Sequence, residues 1–510
     1  MLKQKPNTMV ADKDKEVIAS HDIREGKTIE STEPDHEVLH RVHNMWTASA
    51  YQVLMMASWT CNIVMYGTVF DLGGPMMLIY STIIVCIGQC LLMSSLAEMC
   101  AVWPYSGGQQ AFTKYLAPVR VRRFLSYLVG WLVLFGDLAS SASCAMNNAQ
   151  TIGAIIQLIH PEFQLTRWST WLLYIANILL SVVFTFSQKH LPWISAIGGG
   201  ITLVGGIAWA ASFLALSPKQ SASFAFTRFL NNSGYTSSGW VGIMSFYSPL
   251  YALYGTDGIL HIAEEMKDAH RTAPKAMILS MVLSSITSIA SAIIIGFCCG
   301  NWEDYMTTDI PYISWFVDTL DSIAGGIAFL TIIIVLLNFL IVVGVNTAVS
   351  RLAWGMARDN ALPFSRIFVK INPTVQTPLN AIFLAVSIEM ALGLIAFGSD
   401  YAFEAIISFG QVALQIGFLI PVLMLLWRGR HALPVPRSFN LGSFGFAINL
   451  ASASWSLLII VMLFFPLYVP VNAENIFNMN WSIALIGAVV LLVSVDWILR
   501  GRYHYVILEE

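Results

Sequence analysis

Two aspartates stand in stretches otherwise apolar enough to cross a bilayer. Asp257 lies in "SPLYALYGTDGILH", flanked by Gly255 and Gly258 and preceded by Pro249. Proline removes a backbone donor and glycine weakens a helix. In a membrane the freed amides and carbonyls must find partners in protein, water or ligand. A carboxylate at such a break is a candidate point for binding a proton, a cation or an ammonium group, the usual work of intramembrane acids. The competing reading is a simple kink with Asp257 bonded to a neighbouring helix. Asp137, in "GDLASSASCAMNN", lies 13 residues beyond Phe124, about 20 Å along a helix and so near mid-bilayer. No Lys or Arg is left for a span interior, so its counter-charge must be a proton or a bound cation. Ala139, Ser140, Ser141 and Ser143 beside it are small and suit close helix approach.

Other polar groups carry weaker signals. His261 is one turn past Asp257; a hydrogen-bonded helix histidine is the expectation, a proton relay the alternative. "MASWTCN" sets Ser58, Thr60 and Asn62 around Trp59. No Gly or Pro forces a break there, and Ser and Thr can bond back to their own helix. Glu98, Glu264 and Glu265 sit at span ends near loop Arg and Lys, where ion pairing is expected. Glu389 and Glu404, in or beside later spans, have no assignment.

These residues need a membrane scaffold to position them. The chain of 510 residues is 56% hydrophobic and 11% charged, about half the charged fraction of an ordinary soluble protein. Twelve apolar spans are expected at 46–69, 76–97, 124–156, 168–187, 191–216, 240–262, 276–298, 323–350, 379–398, 403–426, 447–466 and 480–499; runs near 20 residues suit bilayer crossing. The third is long enough to tilt or project. Residues 1–45 are polar and of mixed charge, without the apolar core of a cleavable signal, and are expected to be a disordered cytosolic tail. Residues 46–500 then form the membrane domain, and 501–510 a short cytosolic tail.

With the amino terminus in the cytosol, 24 of the 27 Lys and Arg fall inside and only Arg167, Lys219 and Arg228 outside. That bias places both termini in the cytosol. "NNS" at Asn231 becomes an outer-loop glycosylation sequon. An offset of five spans is odd, so any repeat of spans 1–5 in 6–10 must be inverted, a layout common among secondary transporters.

Several classes find no support. "GGGITLVGG" is glycine-rich but lies inside a span, not in the strand–turn–helix setting of a phosphate loop. No Walker motif, GxSxG or CxxC occurs, and no catalytic cluster, cofactor or metal is expected. The seven cysteines read as small buried hydrophobes. No basic patch suggests nucleic acid.

Three segments together resemble the fungal amino acid/choline transporter branch of the amino acid–polyamine–organocation superfamily: "SLAEMCAVWPYSGGQQ" at 95–110, "YGTDGILHIAEEMKDAHRTAPKAM" at 254–277, and "SRLAWGMARDNALPFSRIFVKINPTVQTPLNA" at 350–381. Their order and spacing match over roughly 45–500. The resemblance implies an all-α polytopic membrane protein with twelve transmembrane helices, a five-plus-five inverted repeat and two additional carboxyl-terminal helices. It implies a central site between broken first and sixth helices, with Ser58, Trp59 and Thr60 lining the first break and Tyr254, Gly255, Thr256 and Asp257 the second. Two departures stand out: Ser-Trp-Thr-Cys replaces glycines common at the first break, and Asp137 stands where relatives often carry an aromatic.

The expectation is a secondary active transporter of the plasma membrane importing an amino acid or a related amine such as choline, 4-aminobutyrate or a polyamine. Asp137 joins the substrate-binding residues, and the resemblance makes protons the driver, with Asp257 the coupling candidate. The alternatives are a pathway-specific carrier or exporter of an amino-acid-derived metabolite and a non-transporting nutrient sensor.

Overall fold

The computed structural model describes residues 39–186 and 189–506. The polar tail expected over 1–45 lies outside the described residues as far as 38, as do residues 507–510 of the tail expected at 501–510.

Long apolar runs close their own backbone hydrogen bonds, and among the described residues ten helices are long and apolar enough to cross a membrane. In chain order they are Gly74–Cys100, Arg122–Ile159, Arg167–Thr185, Leu191–Leu216, Ala269–Cys298, Ile323–Arg358, Leu379–Gly398, Asp400–Arg428, Gly445–Leu463 and Ser482–His504. They are the second to fifth and seventh to twelfth of the expected spans. The first and sixth are helical only in pieces. The fold is all-α, with one two-residue ribbon among the described residues pairing Leu72–Gly73 with Leu230–Asn231, antiparallel.

Helix starts follow local chemistry. The Asn44 side chain accepts from the Thr47 amide at 3.0 Å while Thr47 Oγ1 accepts from the Asn44 amide at 3.0 Å, a capping box that opens the first span. Thr166 and Ser169 do the same for the fourth. Pro75 and Pro192 sit in the first turn of the second and fifth spans, where a missing N–H costs nothing.

The second span packs on the seventh, the third on the eighth and the fourth on the ninth. The third also packs closely on the tenth. The eighth span departs from α geometry at Thr331–Val335, one π-helical turn.

Both described chain ends reach one face of the bundle, called here the terminal face. The His43 amide donates to the Glu265 carbonyl and the Lys267 amide to the His43 carbonyl, at 3.0 and 2.9 Å. At the other end the Val506 amide donates to the Asp359 carbonyl at 3.1 Å, and buried Tyr505 exchanges a hydrogen bond with Ser126 at 3.0 Å. Leu39 and His43, from the segment expected to be tail, are buried.

Candidate functional site

The first span breaks at one residue. Ala57, between helices Met45–Met56 and Ser58–Val64, takes the left-handed conformation at φ 33°, uncommon for a residue with a Cβ. Its carbonyl gathers the amides of Thr60 and Cys61 and the Thr60 hydroxyl. Thr60 thus bonds back to its own chain, while the Ser58 hydroxyl is buried without a partner. Trp59 points outward from the break toward the fifth span. Its Nε1 donates to the Thr202 carbonyl at 3.0 Å and its ring stacks on Trp209 with centroids 5.6 Å apart.

The sixth span runs as Ser238–Met244, Tyr247–Ala252 and Gly258–His261. Gly255 lies in the gap at φ 71°, a conformation costly to other residues. A Cβ on Gly258 would stand 2.4 Å from Met55 Sδ, so a larger residue there would have to displace the Met55 side chain between the two broken spans. Gln52 bridges the gap: its Nε2 donates to the Gly255 carbonyl and its Oε1 accepts from the Ile259 amide at 2.9 Å.

Asp257 precedes the helical turn that carries His261, and the two face each other. His261 Nε2 lies 3.4 Å from Asp257 Oδ2 and 3.5 Å from Asp137 Oδ2, and all three side chains are buried. Gln109 Nε2 donates to Asp257 Oδ2 at 2.9 Å. His261 Nδ1 stands 3.0 Å from the Ser106 carbonyl. A carbonyl can only accept, so Nδ1 carries a hydrogen. Nε2 meets carboxylate oxygens, which also accept unless protonated. A hydrogen between Nε2 and the acids satisfies these contacts, so His261 is placed to share a proton with either carboxylate. His261 is thus shared between both acids. The i, i+4 spacing to Asp257 was the one sequence signal for that contact.

Beside this cluster, between the breaks, is a cavity of about 40 Å³. Met55, Cys61, Ser140, Ser143, Tyr251, Tyr254, Gly255 and Gln411 contribute to its wall. Tyr254 and Gly255 are therefore on the cavity and Asp257 beside it; Thr256 is buried between them in sequence. Asp137 lies below Ser140 on the same helix. The Gln411 amide is buried with neither its nitrogen nor its oxygen bonded. Nothing in the sequence singled it out, because a neutral amide in an apolar run carries no motif. Larger recesses of about 280 and 460 Å³ open elsewhere, both bordered by Glu404, but neither touches a break.

Toward the terminal face the bundle is sealed by ion pairs. Arg351 Nε meets Glu265 Oε1 at 2.7 Å with both side chains fully buried. Arg358 grips Glu264 with two bonds of 2.9 and 3.1 Å, and the Ser106 amide donates to the same carboxylate at 2.9 Å. Arg430 and Arg437 converge on Glu98. The pairing expected of the three glutamates is present. Arg351 corrects the expectation that no basic residue lies inside a span: it is buried within the eighth helix, where only its carboxylate partner makes burial tolerable. The His43 ring sits beside this seal, both nitrogens buried and unbonded. Burial lowers its pKa from 6.5 to about 4, with Glu265 opposing and Arg351 adding to the shift. The segments at 95–110, 254–277 and 350–381 thus meet in one place, between cavity and terminal face.

Asn231 is exposed, far from the cluster, and its Nδ2 donates to the Tyr235 carbonyl at 2.7 Å.

Comparison with known proteins fits this geometry. The family described as "Amino acid permease" matches residues 44–489. Similar chains include the choline transporter of Saccharomyces cerevisiae, 30% identical over 86% of this chain and 77% of that one. Amino-acid permease 2 of Neurospora crassa is 26% identical over 92% of this chain and 86% of its own. The amino-acid permease BAT1 homolog of Oryza sativa subsp. japonica is 27% identical over 86% and 87%.

Proposed function

The chain belongs to the amino acid permease family, and from that premise we propose that this secondary transporter of amino acids or related amines is driven by protons through Asp137, Asp257 and His261. The observation that carries the proposal is the placing of His261 Nε2 at 3.4 and 3.5 Å from two buried carboxylates, where a shared proton neutralises them. In a low-dielectric site an unneutralised pair of acids is costly. Removing that proton would set a ring lone pair against carboxylate oxygens. The proton can leave when another positive group arrives or when the sixth span moves.

A substrate ammonium entering the cavity between Tyr254, Gly255 and Gln411 supplies that group, with Asp137, three residues before cavity-lining Ser140, as its acid partner. Gln411 offers an unused donor and acceptor to the substrate's polar end. Because Asp257 and His261 lie on the short helix after the break, their protonation acts directly on the mobile half of the sixth span, while Gln52 ties that half to the first span. Transport then alternates by release of the seal made by Glu264, Glu265, Arg351 and Arg358 on the terminal face. We place both termini in the cytosol on the distribution of Lys and Arg, and the protein in the plasma membrane with net flux inward on the family resemblance. Ser58, Trp59 and Thr60 support the break rather than touch the cavity in this conformation. The reading involves no chemical conversion of the substrate.

The deciding experiment is uptake into proteoliposomes by the purified protein with an outside-acid pH gradient, using choline, 4-aminobutyrate, lysine, proline and polyamines in competition. Accumulation above the outside concentration that collapses with a protonophore is expected. Accumulation indifferent to the proton gradient would refute the coupling.

A further inference from the structure

A second buried acid lies on the other side of the cavity wall. Glu389, in the ninth span, is fully buried, and neither of its carboxylate oxygens has a hydrogen-bond partner among the described residues. Its neighbours are Ser141 of the third span and Asn346 of the eighth. Both lie within reach of its carboxylate, but the bonds they make run to other partners. The Ser141 hydroxyl donates to Asn346 Oδ1 at 3.3 Å, Asn346 Nδ2 to Ser181 Oγ at 3.0 Å, and Ser181 to the Ile178 carbonyl at 2.7 Å. The Tyr174 hydroxyl of the fourth span donates to the Glu389 backbone carbonyl at 2.7 Å, not to its side chain. Of titratable groups, Cys144 from the third span and Tyr174 from the fourth face it. Among the described residues no Lys, Arg or His pairs with it.

The position connects this acid to transport. Cys144 lines the cavity and faces Glu389 from the other side, and Ser140, next to Ser141, lines the cavity too. One side chain separates Glu389 from the substrate space. Intramembrane acids are expensive unless neutralised, and those retained serve ion paths.

We propose that Glu389 is a second proton-binding station, set behind the cavity wall among the third, fourth, eighth and ninth spans. The proposal rests on the transporter reading and adds to it a proton site independent of Asp257. With its proton, Glu389 is neutral and the four spans close around it; without it, the bare carboxylate draws the Ser141 and Asn346 donors from their present partners and the spans rearrange. Loading Glu389 is therefore a condition for the cycle, and transport slows as pH rises.

The test is substrate exchange in proteoliposomes with equal substrate on both sides, measured between acid and alkaline pH for wild type and Glu389→Gln. The amide imitates the protonated acid permanently. Wild-type exchange should fall at high pH, and the acid-to-alkaline rate ratio should shrink at least about threefold in Glu389→Gln. Should that variant fail to give monodisperse protein, Glu389→Asp replaces it: a shorter acid in the same site should move the pH midpoint by about half a unit or more. A profile matching wild type in whichever variant folds overturns the proposal. If wild type exchanges no amine or amino acid at any pH, the transporter reading has failed; if it exchanges and the variant's profile is unchanged, only the Glu389 station has.

Discussion

Asp137 and Asp257, from two different spans, approach the same imidazole nitrogen of His261, at 3.5 and 3.4 Å. The acids differ in support. Asp257 also receives the Gln109 amide, whereas Asp137 Oδ2 has no hydrogen bond of its own. Asp137 is thus the acid left with spare capacity, and Asp257 the one held by Gln109.

Asp257→Asn keeps shape and hydrogen-bonding capacity but cannot take up or release a proton. We predict that accumulation against a gradient is abolished while the protein reaches the membrane normally. Wild-type accumulation by a variant quantified at the cell surface would remove Asp257 from coupling.

Asp137→Asn tests substrate charge. If an ammonium pairs with Asp137, losing the pair costs about 3–5 kcal/mol, so the apparent constant for a cationic substrate should rise by about a hundredfold or more, a 1.4 kcal/mol loss being tenfold. A zwitterion with a second anchor should suffer less. Concentration-dependent uptake of one substrate of each kind decides it, and equal, small changes in both would assign Asp137 to helix packing.

Trp59 is held by Trp209 and the Thr202 carbonyl, facing away from the cavity. Trp59→Leu should therefore reduce thermal stability in detergent, by about 2–4 kcal/mol on the scale of large-to-small core changes, with the uptake constant of the surviving protein unchanged. A several-fold rise in that constant at normal stability would instead put the ring on the substrate, as an ammonium over its face would require.

His43 gives a pH prediction. Its ring is buried neutral, with its pKa lowered from 6.5 to about 4. An opened or unfolded state, where the ring titrates near 6.5, binds more protons than the closed state between these values, so closure is fully stable above about 6.5 and weakens as pH falls toward 4. The full difference is on the order of 3 kcal/mol. Proteolysis or thiol labelling of cysteines introduced at 39–42 should increase below pH 6.5, and His43→Phe, which cannot charge, should suppress the increase.

The sixth-span break was legible because Pro249, Gly255 and Gly258 are residues whose backbone chemistry forces or permits it. The first-span break was not, because it falls on Ala57, which has no intrinsic preference for φ 33°; tertiary contacts impose it. The resemblance pointed to the right neighbourhood, one residue on. The direction of Trp59 depends on Trp209, far along the chain, and no local pattern encodes it. Charged candidates declared themselves by cost: Asp137 and Asp257 were conspicuous in apolar sequence. Gln52, Gln109 and Gln411, which bridge the break, support the acid and face the cavity, were silent because a neutral amide is cheap enough to hide. Arg351 was misplaced because its partner Glu265 is remote in sequence, and only the pair explains its burial.

Met55 is where the two breaks touch: its sulfur lies where a Cβ on Gly258 would fall, and its side chain also lines the cavity. An unbranched thioether re-seats at little cost, so this contact can follow the cavity as its shape changes. A stiff, branched residue would hold the breaks at one spacing. Met55→Ile should therefore narrow the range of substrates taken up in the competition panel, and an unchanged range would reduce Met55 to plain packing.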